Sequence, residues 1–524
     1  MSEPFRLTYA TMYDPPDHLH RSYDAAVADL KANLGKEYGM IINGKERFAD
    51  KKSEDTSPID TSIVLGVFQS GSAQDSLDAV AAARKAAKVW GRTPWQERIT
   101  LMRKAAALID ERIFKFGAVI SMEVGKNRME AMGDAAETAD LIRYACDQVE
   151  ENNGYVVTMG VDPLKGYKSR NVSVLRPYGV WVVISPFNFP CALTGGPAGA
   201  ALTAGNAIVM KPASDTVFTV RLLAECFRDA GLPDGVFNYV TGGGGTVGQA
   251  LIDSPDVDGI TFTGSFDVGM KIYRTFANGR YPRPTVLEMG GKNPAIVSRH
   301  ADLKRATAGI IRSAFGLQGQ KCSAASRIYV EAPVYDEMAS RLTEATDKLV
   351  VGDPTKREVF MGPVINQWAY NDFKNFNEEL SQHGRFLSGG KVLTEGDYGK
   401  GYFCAPTLVA DVPNDHHLWK HEMFLPITMI QKVKNLEEAM SLANDVDYGL
   451  TAGFYGTTEE ADWFFDNIEA GVNYANRPQG ATTGAWPGFQ PFGGWKGSGS
   501  SGKNAGGHYY LPLYMHEQSR TVIA

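Results

Sequence analysis

Short runs rich in β-branched residues alternate with amphipathic stretches between residues 180 and 263, and this alternation constrains the fold more than any other feature. The strand candidates are residues 180–185, 207–211, 237–240 and 259–263. Strands that alternate with helices in this way form βαβ units on a parallel sheet. The sequence therefore predicts an α/β protein built around such a sheet.

A second alternating region follows Glu288. Its strand candidates are residues 294–297, 327–331, 403–409 and 428–432. Because this region starts directly after the glutamate, we place a domain boundary there. Upstream of both regions, residues 72–149 repeat Ala, Leu and charged residues at helical spacing, which predicts a scaffold of helices whose first member is capped by Asp75 or Ser76.

The C-terminal segment combines a Gly- and Ser-rich run at 493–507 with apolar residues after it. Such a run is typical of a linker. Residues 508–515 and 520–523, however, are apolar enough to require a packing partner. We therefore expect an ordered terminal strand that pairs with another element or with another subunit.

Composition and charge disfavour several classes of protein. The net charge is −7, whereas nucleic acids and anionic membranes bind clustered basic surfaces. Residues 1–20 lack the basic start and apolar run of a secretory signal. Prolines and glycines interrupt the most apolar stretch, 178–210, which makes it a poor membrane span. We expect neither nucleic acid nor membrane as a partner.

The five cysteines are scattered and include no CxxC pair. This pattern predicts neither a disulfide framework nor a zinc-ligand spacing, and it favours a reducing compartment, which we take to be the cytoplasm. The neighbours His416 and His417 are a poor chelate at that spacing. No metal site is expected.

Cys322 and Glu288 stand out as a thiol nucleophile and a carboxylate base, each embedded in glycine-containing backbone. These are the parts needed to oxidise an aldehyde. Lys321 would favour the thiolate, and Ser323 offers a hydroxyl beside the sulfur. The other cysteines lie among apolar or small residues, where a thiol usually packs as a small hydrophobe; they are Cys146, Cys191, Cys226 and Cys404.

Two further polar residues stand near the carboxyl ends of predicted strands, where open α/β sheets build ligand sites. Asn188, in the string SPFNFP, would donate its amide to an oxyanion. Lys211, in VMKPAS, would reach a ribose or phosphate. On its own, each residue is better explained as a turn residue or a solvated charge.

Gly264, Ser265 and Gly269 follow a third predicted strand. Their spacing opens a helix whose free N–H groups suit a pyrophosphate. The pattern is not the GxGxxG fingerprint, and alone it indicates little.

Taken together, the motifs resemble the aldehyde dehydrogenase superfamily in their order and approximate spacing. They are SPFNFP, VMKPAS, FTGSFDVG, LEMGGK, GQKCS, HEMF and QPFGGWKGSG, and they span nearly the whole chain. The resemblance implies an α/β fold with a modified Rossmann cofactor domain, an α/β catalytic domain and a β oligomerisation arm. The expected divisions are an N-terminal extension (1–40), an NAD(P)-binding domain (41–287, with 150–175 contributing to the arm), a catalytic domain (288–485) and a C-terminal return with the rest of the arm (486–524).

The resemblance also implies a role for each matching residue. Cys322 would be the nucleophile that carries a thiohemiacetal and then a thioester, Glu288 the general base and Asn188 the oxyanion donor. The residues expected to bind NAD or NADP are Ser185, Pro186, Phe187, Lys211, Ser214, Gly264, Ser265, Gly269, Glu422 and Phe424. Leu425 departs from the family's usual Glu-x-Phe-Gly-Pro.

Within the superfamily, the string AFGLQGQKCSAASR, the N-terminal extension and the IINGKE entry are most similar to the 1-pyrroline-5-carboxylate dehydrogenases. That family oxidises L-glutamate γ-semialdehyde to L-glutamate in proline breakdown. A serine after the nucleophile and a later Gly-Ala pair hold the substrate's α-carboxylate there, and Ser323, Gly484 and Ala485 match them.

The loop 476–490 is longer than is typical of that family, and it carries Trp486 and Phe489. The alternative is therefore a dehydrogenase of aromatic or longer-chain aldehydes. A non-catalytic family member is disfavoured because Cys322, Glu288 and Asn188 are all present.

Ser214 stands three residues after Lys211, where NAD-preferring members often carry a glutamate that repels a 2′-phosphate. A serine removes that repulsion, so we expect NAD(P) with NADP tolerated. The apolar C-terminal strand predicts a homo-oligomer, a dimer or larger.

Overall fold

The computed structural model describes residues 6–8, 11–12, 15–478 and 485–524. The α-helices of this part are α1 (Asp17–Ala32), α2 (Ala73–Trp90), α3 (Trp95–Glu111), α4 (Ile113–Val124), α5 (Arg128–Glu151), α6 (Ala192–Ala204), α7 (Val217–Ala230), α8 (Gln249–Asp253), α9 (Phe266–Ala277), α10 (Leu303–Phe315), α11 (Tyr335–Asp347), α12 (Gln367–His383), α13 (Leu436–Asn444) and α14 (Thr458–Asn467).

The strands of the same part are β1 (Lys36–Tyr38), β2 (Met40–Ile42), β3 (Lys45–Arg47), β4 (Lys52–Thr56), β5 (Val64–Gln69), β6 (Val156–Thr158), β7 (Ser169–Pro177), β8 (Val180–Ile184), β9 (Ala207–Lys211), β10 (Phe237–Tyr239), β11 (Gly259–Thr263), β12 (Thr285–Glu288), β13 (Asn293–Val297), β14 (Ala325–Glu331), β15 (Arg385–Ser388), β16 (Thr407–Ala410), β17 (Ile427–Val433), β18 (Tyr448–Gly449), β19 (Thr451–Tyr455), β20 (Val472–Ala475), β21 (Trp495–Lys496) and β22 (Met515–Ile523). Short strands β1, β4 and β5 form a small sheet of their own.

The first large sheet has seven strands in the order β12-β11-β8-β9-β10-β2-β3. Strands β8 to β12 run parallel, and the residues of β8, β9 and β11 are buried almost throughout. Helices on both faces account for this burial, as expected for a parallel sheet. The strands predicted between residues 180 and 263 are confirmed.

The β2–β3 hairpin at the edge of this sheet is a detail that the sequence reading missed. The chain reverses there because Asn43 and Gly44 both adopt positive φ, at 53° and 74°. Asn-Gly is the favoured pair for such a two-residue turn.

The second large sheet has the order β15-β16-β17-β14-β13-β19-β20. All its pairings are parallel except β15 with β16. The prediction of a strand over 403–409 was wrong at its start, since β16 begins only at Thr407. Pro406 precedes it and has no N–H to donate to a neighbouring strand.

The crossing from one sheet to the other positions the candidate site. Glu288 ends β12 in the first sheet, and β13 in the second sheet begins at Asn293. Cys322 lies shortly before β14, the neighbour of β13. The two candidate groups therefore lie where the sheets meet.

The helical scaffold of residues 72–149 is confirmed as α2 to α5. The expected cap was wrong, because Ser72 caps α2. Its hydroxyl accepts from the Asp75 N–H, and the Asp75 carboxylate accepts from the Ser72 N–H in return. Ser72 followed by an acidic residue three positions later satisfies two helix-end donors at once, although the usual partner is Glu or Gln.

The expected terminal strand is also confirmed. β22 pairs antiparallel with β7 along its full length, in a small sheet ordered β22-β7-β6. Most of β22 is exposed, including Val522 and Ile523. Among the described helices, none combines the length and apolar character that a membrane crossing requires.

Candidate active site

The loop before Cys322 is held in an unusual backbone conformation. Leu317, Gln318 and Gly319 have φ values of 49°, 56° and 66° in succession. The left-handed region is uncommon for residues other than glycine, so side-chain contacts must hold the loop. The Gln318 amide supplies them by donating to the carbonyls of Gly125 and Pro363, at 2.8 and 2.5 Å.

Cys322 itself is half-buried. Burial raises the pKa of its thiol well above the usual value, the nearby carboxylates of Glu422 and Glu288 raise it further, and Lys321 lowers it. Lys321 thus favours the thiolate, as expected from the sequence, but the opposing effects are larger. The thiol is protonated in this state, so a base must take its proton before it can attack.

Glu130 on α5 holds the same loop in place, and no sequence motif indicated this role. One carboxylate oxygen forms a buried ion pair with Lys321 at 2.7 Å. The other accepts from the Leu317 N–H at 3.0 Å and from the Asn127 amide at 3.0 Å. Because Glu130 is 191 residues from Lys321, no local pattern could have revealed the pair.

Glu288 carries a buried oxygen, Oε2, with no hydrogen-bond partner among the residues that the structure describes. Burial raises the pKa of this carboxyl well above its usual value. Buried polar atoms normally have partners, and an exception at the edge of a cleft indicates a group that meets substrate or water. A carboxyl of raised pKa is suited to accept a proton near neutral pH.

Asn188 is buried, and its amide points toward the loop of Cys322. Nδ2 donates to the carbonyl of Gln320 at 2.9 Å, while Oδ1 accepts from the Phe189 N–H at 3.1 Å. These two bonds fix the amide orientation and use only one of its two N–H donors. The second donor is available to an oxyanion formed near Cys322.

Glu422 reaches the same cleft from the loop before β17. Its Oε1 accepts from the Gly291 N–H at 2.8 Å. A Cβ on Gly290 would lie 2.0 Å from its Oε2, so glycine is required there. Burial raises the pKa of Glu422 to about 7.

The departure at Leu425 is accommodated within this loop. Leu425 is buried, and its carbonyl packs so closely on Gly319 that an added Cβ would come within 2.2 Å of the oxygen. The preceding Phe424 adopts φ 56°, and its ring meets Phe187 edge-on with centroids 5.7 Å apart. The loop therefore contacts both the nucleophile loop and the SPFNFP segment.

The residues expected to hold a dinucleotide fit that ligand. Lys211 is buried at the end of β9, where burial lowers its pKa to about 8 and Nζ donates to the Pro212 carbonyl at 2.7 Å. Ser185 Oγ is buried with no partner in the described part of the chain. Ser265 precedes α9 and makes no side-chain cap bond, so the helix start can take a phosphate.

Two other expected cofactor residues have distinct environments. Gly269 lies inside α9, and a Cβ there would come 2.5 Å from the Met289 sulfur, so a larger residue would displace the Met289 side chain. Ser214 is exposed after β9. Its neighbour Asp215 carries a carboxyl group close enough to Lys211 to interact with it electrostatically.

The expected substrate residues come from two separate segments of the chain. Ser323 is buried beside Cys322, and Ala485 is buried in the loop before β21. Gly484 lies outside the described residues. Trp486 is buried and its indole N–H donates to Asp140 Oδ2 at 2.8 Å, whereas Phe489 is 74% exposed.

Known proteins match this chain over nearly its whole length. Residues 46–519 match the aldehyde dehydrogenase family. The chain is 38% identical, over 96% of its own length and 96% of the relative's, to a 1-pyrroline-5-carboxylate dehydrogenase of Geobacillus sp. strain WCH70.

Two solved structures are similarly close. One is a Thermus 1-pyrroline-5-carboxylate dehydrogenase with bound NAD, which has a TM-score of 0.92, 34% identity and coverage of 100% of both chains. The other is an NADP-dependent Escherichia coli enzyme, with a TM-score of 0.86, 31% identity and coverage of 94% of this chain and 99% of that one.

Proposed function

Because this chain belongs to the aldehyde dehydrogenase family, it is an NAD(P)-dependent aldehyde dehydrogenase, and we propose that it oxidises L-glutamate γ-semialdehyde to L-glutamate. The observation that carries the chemistry is the pairing of a thiol, Cys322, with a nearby buried carboxyl, Glu288, whose Oε2 has no partner among the described residues. The names of its relatives support the substrate.

The reaction begins at Cys322. Its thiol loses a proton to solvent water, the resulting thiolate attacks the aldehyde carbon, and the π electrons of the C=O bond move to the oxygen, which becomes the oxyanion of a thiohemiacetal. The Asn188 amide and the Cys322 N–H donate to that oxyanion, which stabilises charge that is absent in the free aldehyde. NAD(P), when bound, supplies the acceptor for the hydride that leaves this carbon.

Glu288 serves the second half of the reaction. The thiohemiacetal has become a thioester on Cys322, and water must attack it. Glu288 takes the proton of that water, the C–S bond breaks, and a carboxylate leaves with the thiol restored. Splitting the oxidation into two steps is the usual advantage of a covalent nucleophile.

The remaining residues are assigned by position. The two riboses of the cofactor would be bound by Lys211, Ser214 and Glu422. Its pyrophosphate would be bound by the segment that contains Gly264, Ser265 and Gly269. The rest of the cofactor site would be lined by Ser185, Pro186, Phe187 and Phe424. The Ser323 hydroxyl with the backbone of Gly484 and Ala485 would hold the substrate's α-carboxylate.

We also propose the domain roles and the assembly. Residues 41–287 form the NAD(P)-binding domain, 288–485 the catalytic domain, and 150–175 with 486–524 the arm, after the extension 1–40. The exposed residues of β22 support a dimer or larger homo-oligomer, and the compartment would be the cytoplasm.

The test of the substrate is a comparison of kcat/KM for L-glutamate γ-semialdehyde, hexanal and benzaldehyde, each with NAD and with NADP. A site built to hydrogen-bond a carboxylate disfavours substrates without one, so we expect a preference of about 10²-fold or more for the semialdehyde. A preference for the uncharged aldehydes would leave the chemistry right and the substrate wrong. We expect turnover with both nucleotides, and a strong preference for NAD would contradict the reading of Ser214.

Trp486→Phe is expected to impair binding of the semialdehyde. The loop of the proposed carboxylate anchor is tied to α5 through the indole N–H and Asp140, at 2.8 Å. Phe keeps an aromatic ring, although a smaller one, and removes the donor. A hydrogen bond to a charged acceptor contributes about 1.5 kcal/mol or more, so kcat/KM should fall about tenfold, mainly through KM.

The control for this variant is Phe489→Ala, in the same loop but 74% exposed. It should leave kcat/KM unchanged. Hexanal turnover by Trp486→Phe should also be unchanged, because hexanal has no α-carboxylate to anchor. Equal losses for both aldehydes would show that Trp486 supports the fold in general and not the anchor.

A further inference from the structure

A carboxylate and two imidazoles that the proposed reaction does not use converge between α12 and the turn before β17. Glu379, His416 and His417 each present one ligand atom, and these atoms all lie within 4.8 Å of one another. Nε2 of His417 is 2.5 Å, and Nε2 of His416 is 3.3 Å, from the same oxygen, Glu379 Oε1. The three groups thus face a common point.

The spacing of these atoms is close to that of a metal site. Nitrogen and oxygen ligands stand about 2.0–2.2 Å from a zinc ion, so two ligands of a tetrahedral ion are about 3.3–3.5 Å apart. The His416–Glu379 pair already has this separation. The His417–Glu379 pair has to open, and His417 is free to move because its side chain is 62% exposed.

Another imidazole lies within reach of the same point. His383 follows Glu379 by four residues at the end of α12, which places the two on one face of the helix. Its ring centroid is 4.9 Å from that of His416. Its nitrogens lie outside the group of three ligand atoms, so His383 would have to rotate to supply a fourth ligand.

We propose that Glu379, His416 and His417 form a binding site for a borderline divalent cation such as Zn²⁺, with His383 or water as the fourth ligand. Imidazole nitrogen together with one carboxylate favours Zn²⁺, Ni²⁺ or Cu²⁺, whereas Mg²⁺ and Ca²⁺ require mostly oxygen ligands. The adjacent histidines alone gave no indication of a site, because the carboxylate comes from a helix 38 residues before His417.

Binding has a defined proton balance. Each neutral imidazole that donates from Nε2 to Glu379 must carry its proton on Nδ1 instead, which leaves Nε2 for the metal. For His416 this ends the bond in which Nδ1 accepts from the Leu418 N–H, at 3.3 Å. That long bond is the only one among the described contacts of His416 that the exchange loses besides the bond to Glu379.

The test is isothermal titration of the full-length Cys322→Ala protein with Zn²⁺, Ni²⁺ and Mg²⁺. The Cys322 substitution removes a thiol that would itself bind Zn²⁺. We expect one Zn²⁺ or Ni²⁺ per chain with micromolar affinity and no Mg²⁺ binding. His417→Ala and Glu379→Gln in that background should each weaken Zn²⁺ binding about tenfold or more.

The matched control is His300→Ala. Its imidazole is also exposed and faces a carboxylate, Glu460 at 2.7 Å, but no other ligand group completes a cluster there in the described part of the chain. Its loss should leave the affinity unchanged, with circular dichroism confirming that every variant is folded. Absence of binding, unchanged affinity in His417→Ala, or an equal loss in His300→Ala would each overturn the proposal.

Discussion

Replacing Cys322 by alanine is expected to abolish aldehyde oxidation, with kcat reduced by about 10⁴-fold or more. Removing the nucleophile of a covalent mechanism leaves only binding and oxyanion stabilisation, and such losses are typical. Because the thiol is only half-buried, alanine at this position should leave the fold intact. The variant should still bind NAD, measured by fluorescence titration.

The matched substitution is Cys404→Ala. Cys404 is buried among the apolar side chains that cover the second sheet, where an aldehyde cannot reach its sulfur. This variant should lose some thermal stability and keep its kcat. Substantial turnover by Cys322→Ala, or an equal loss in Cys404→Ala, would contradict the assignment of the nucleophile.

Replacing Glu288 by glutamine is expected to stop the reaction after the oxidation step. Glutamine keeps the size of the side chain but cannot take a proton from water, so the thioester persists. Loss of a general base costs about 10²–10⁴-fold in kcat. Mixing enzyme with aldehyde and NAD should then give one rapid burst of NADH per active site, measured by stopped-flow absorbance, followed by very slow turnover.

The pH dependence follows from the same carboxyl. Burial raises the pKa of Glu288, and only its ionised form is a base, so thioester hydrolysis in the wild type should accelerate as pH rises through that pKa. This rise in the hydrolysis rate with pH should be absent in Glu288→Gln. A burst-free Glu288→Gln enzyme that turns over normally would show that another group activates the water.

Stability should respond to pH in the opposite sense. A carboxyl whose pKa is raised in the folded state contributes stability below its ordinary pKa and loses it as pH rises through the raised one. Glutamine at 288 is neutral at every pH, so the melting temperature of Glu288→Gln should fall less than that of the wild type as pH rises from the ordinary carboxyl pKa through the raised one.

The elements of the fold that were predictable from sequence are those whose own residues determine them. Strand β9 is apolar on both faces because a parallel sheet buries both. The cap of α2 was misassigned by a few residues, since several polar residues precede that helix and only the geometry shows that Ser72 makes the bond. The error at β16 has a different origin. An apolar run starts at residue 403, but Pro406 interrupts it and the strand begins only at Thr407.

Some residues of the candidate site were likewise predictable from local sequence, and others were not. Cys322, Glu288 and Asn188 carry chemistry in recognisable local strings. Glu130 and Asp140 do not, because each acts through a partner far along the chain, Lys321 in one case and Trp486 in the other. Their side chains are ordinary for the exposed face of a helix until folding brings the partner to them.

The most direct test of the account is the mass of the Glu288→Gln protein, denatured in acid after one turnover of L-glutamate γ-semialdehyde with NAD. The account predicts an added γ-glutamyl group, held as a thioester and located by peptide mapping on Cys322. An unmodified protein after a full burst of NADH, or an adduct on a different residue, would contradict it.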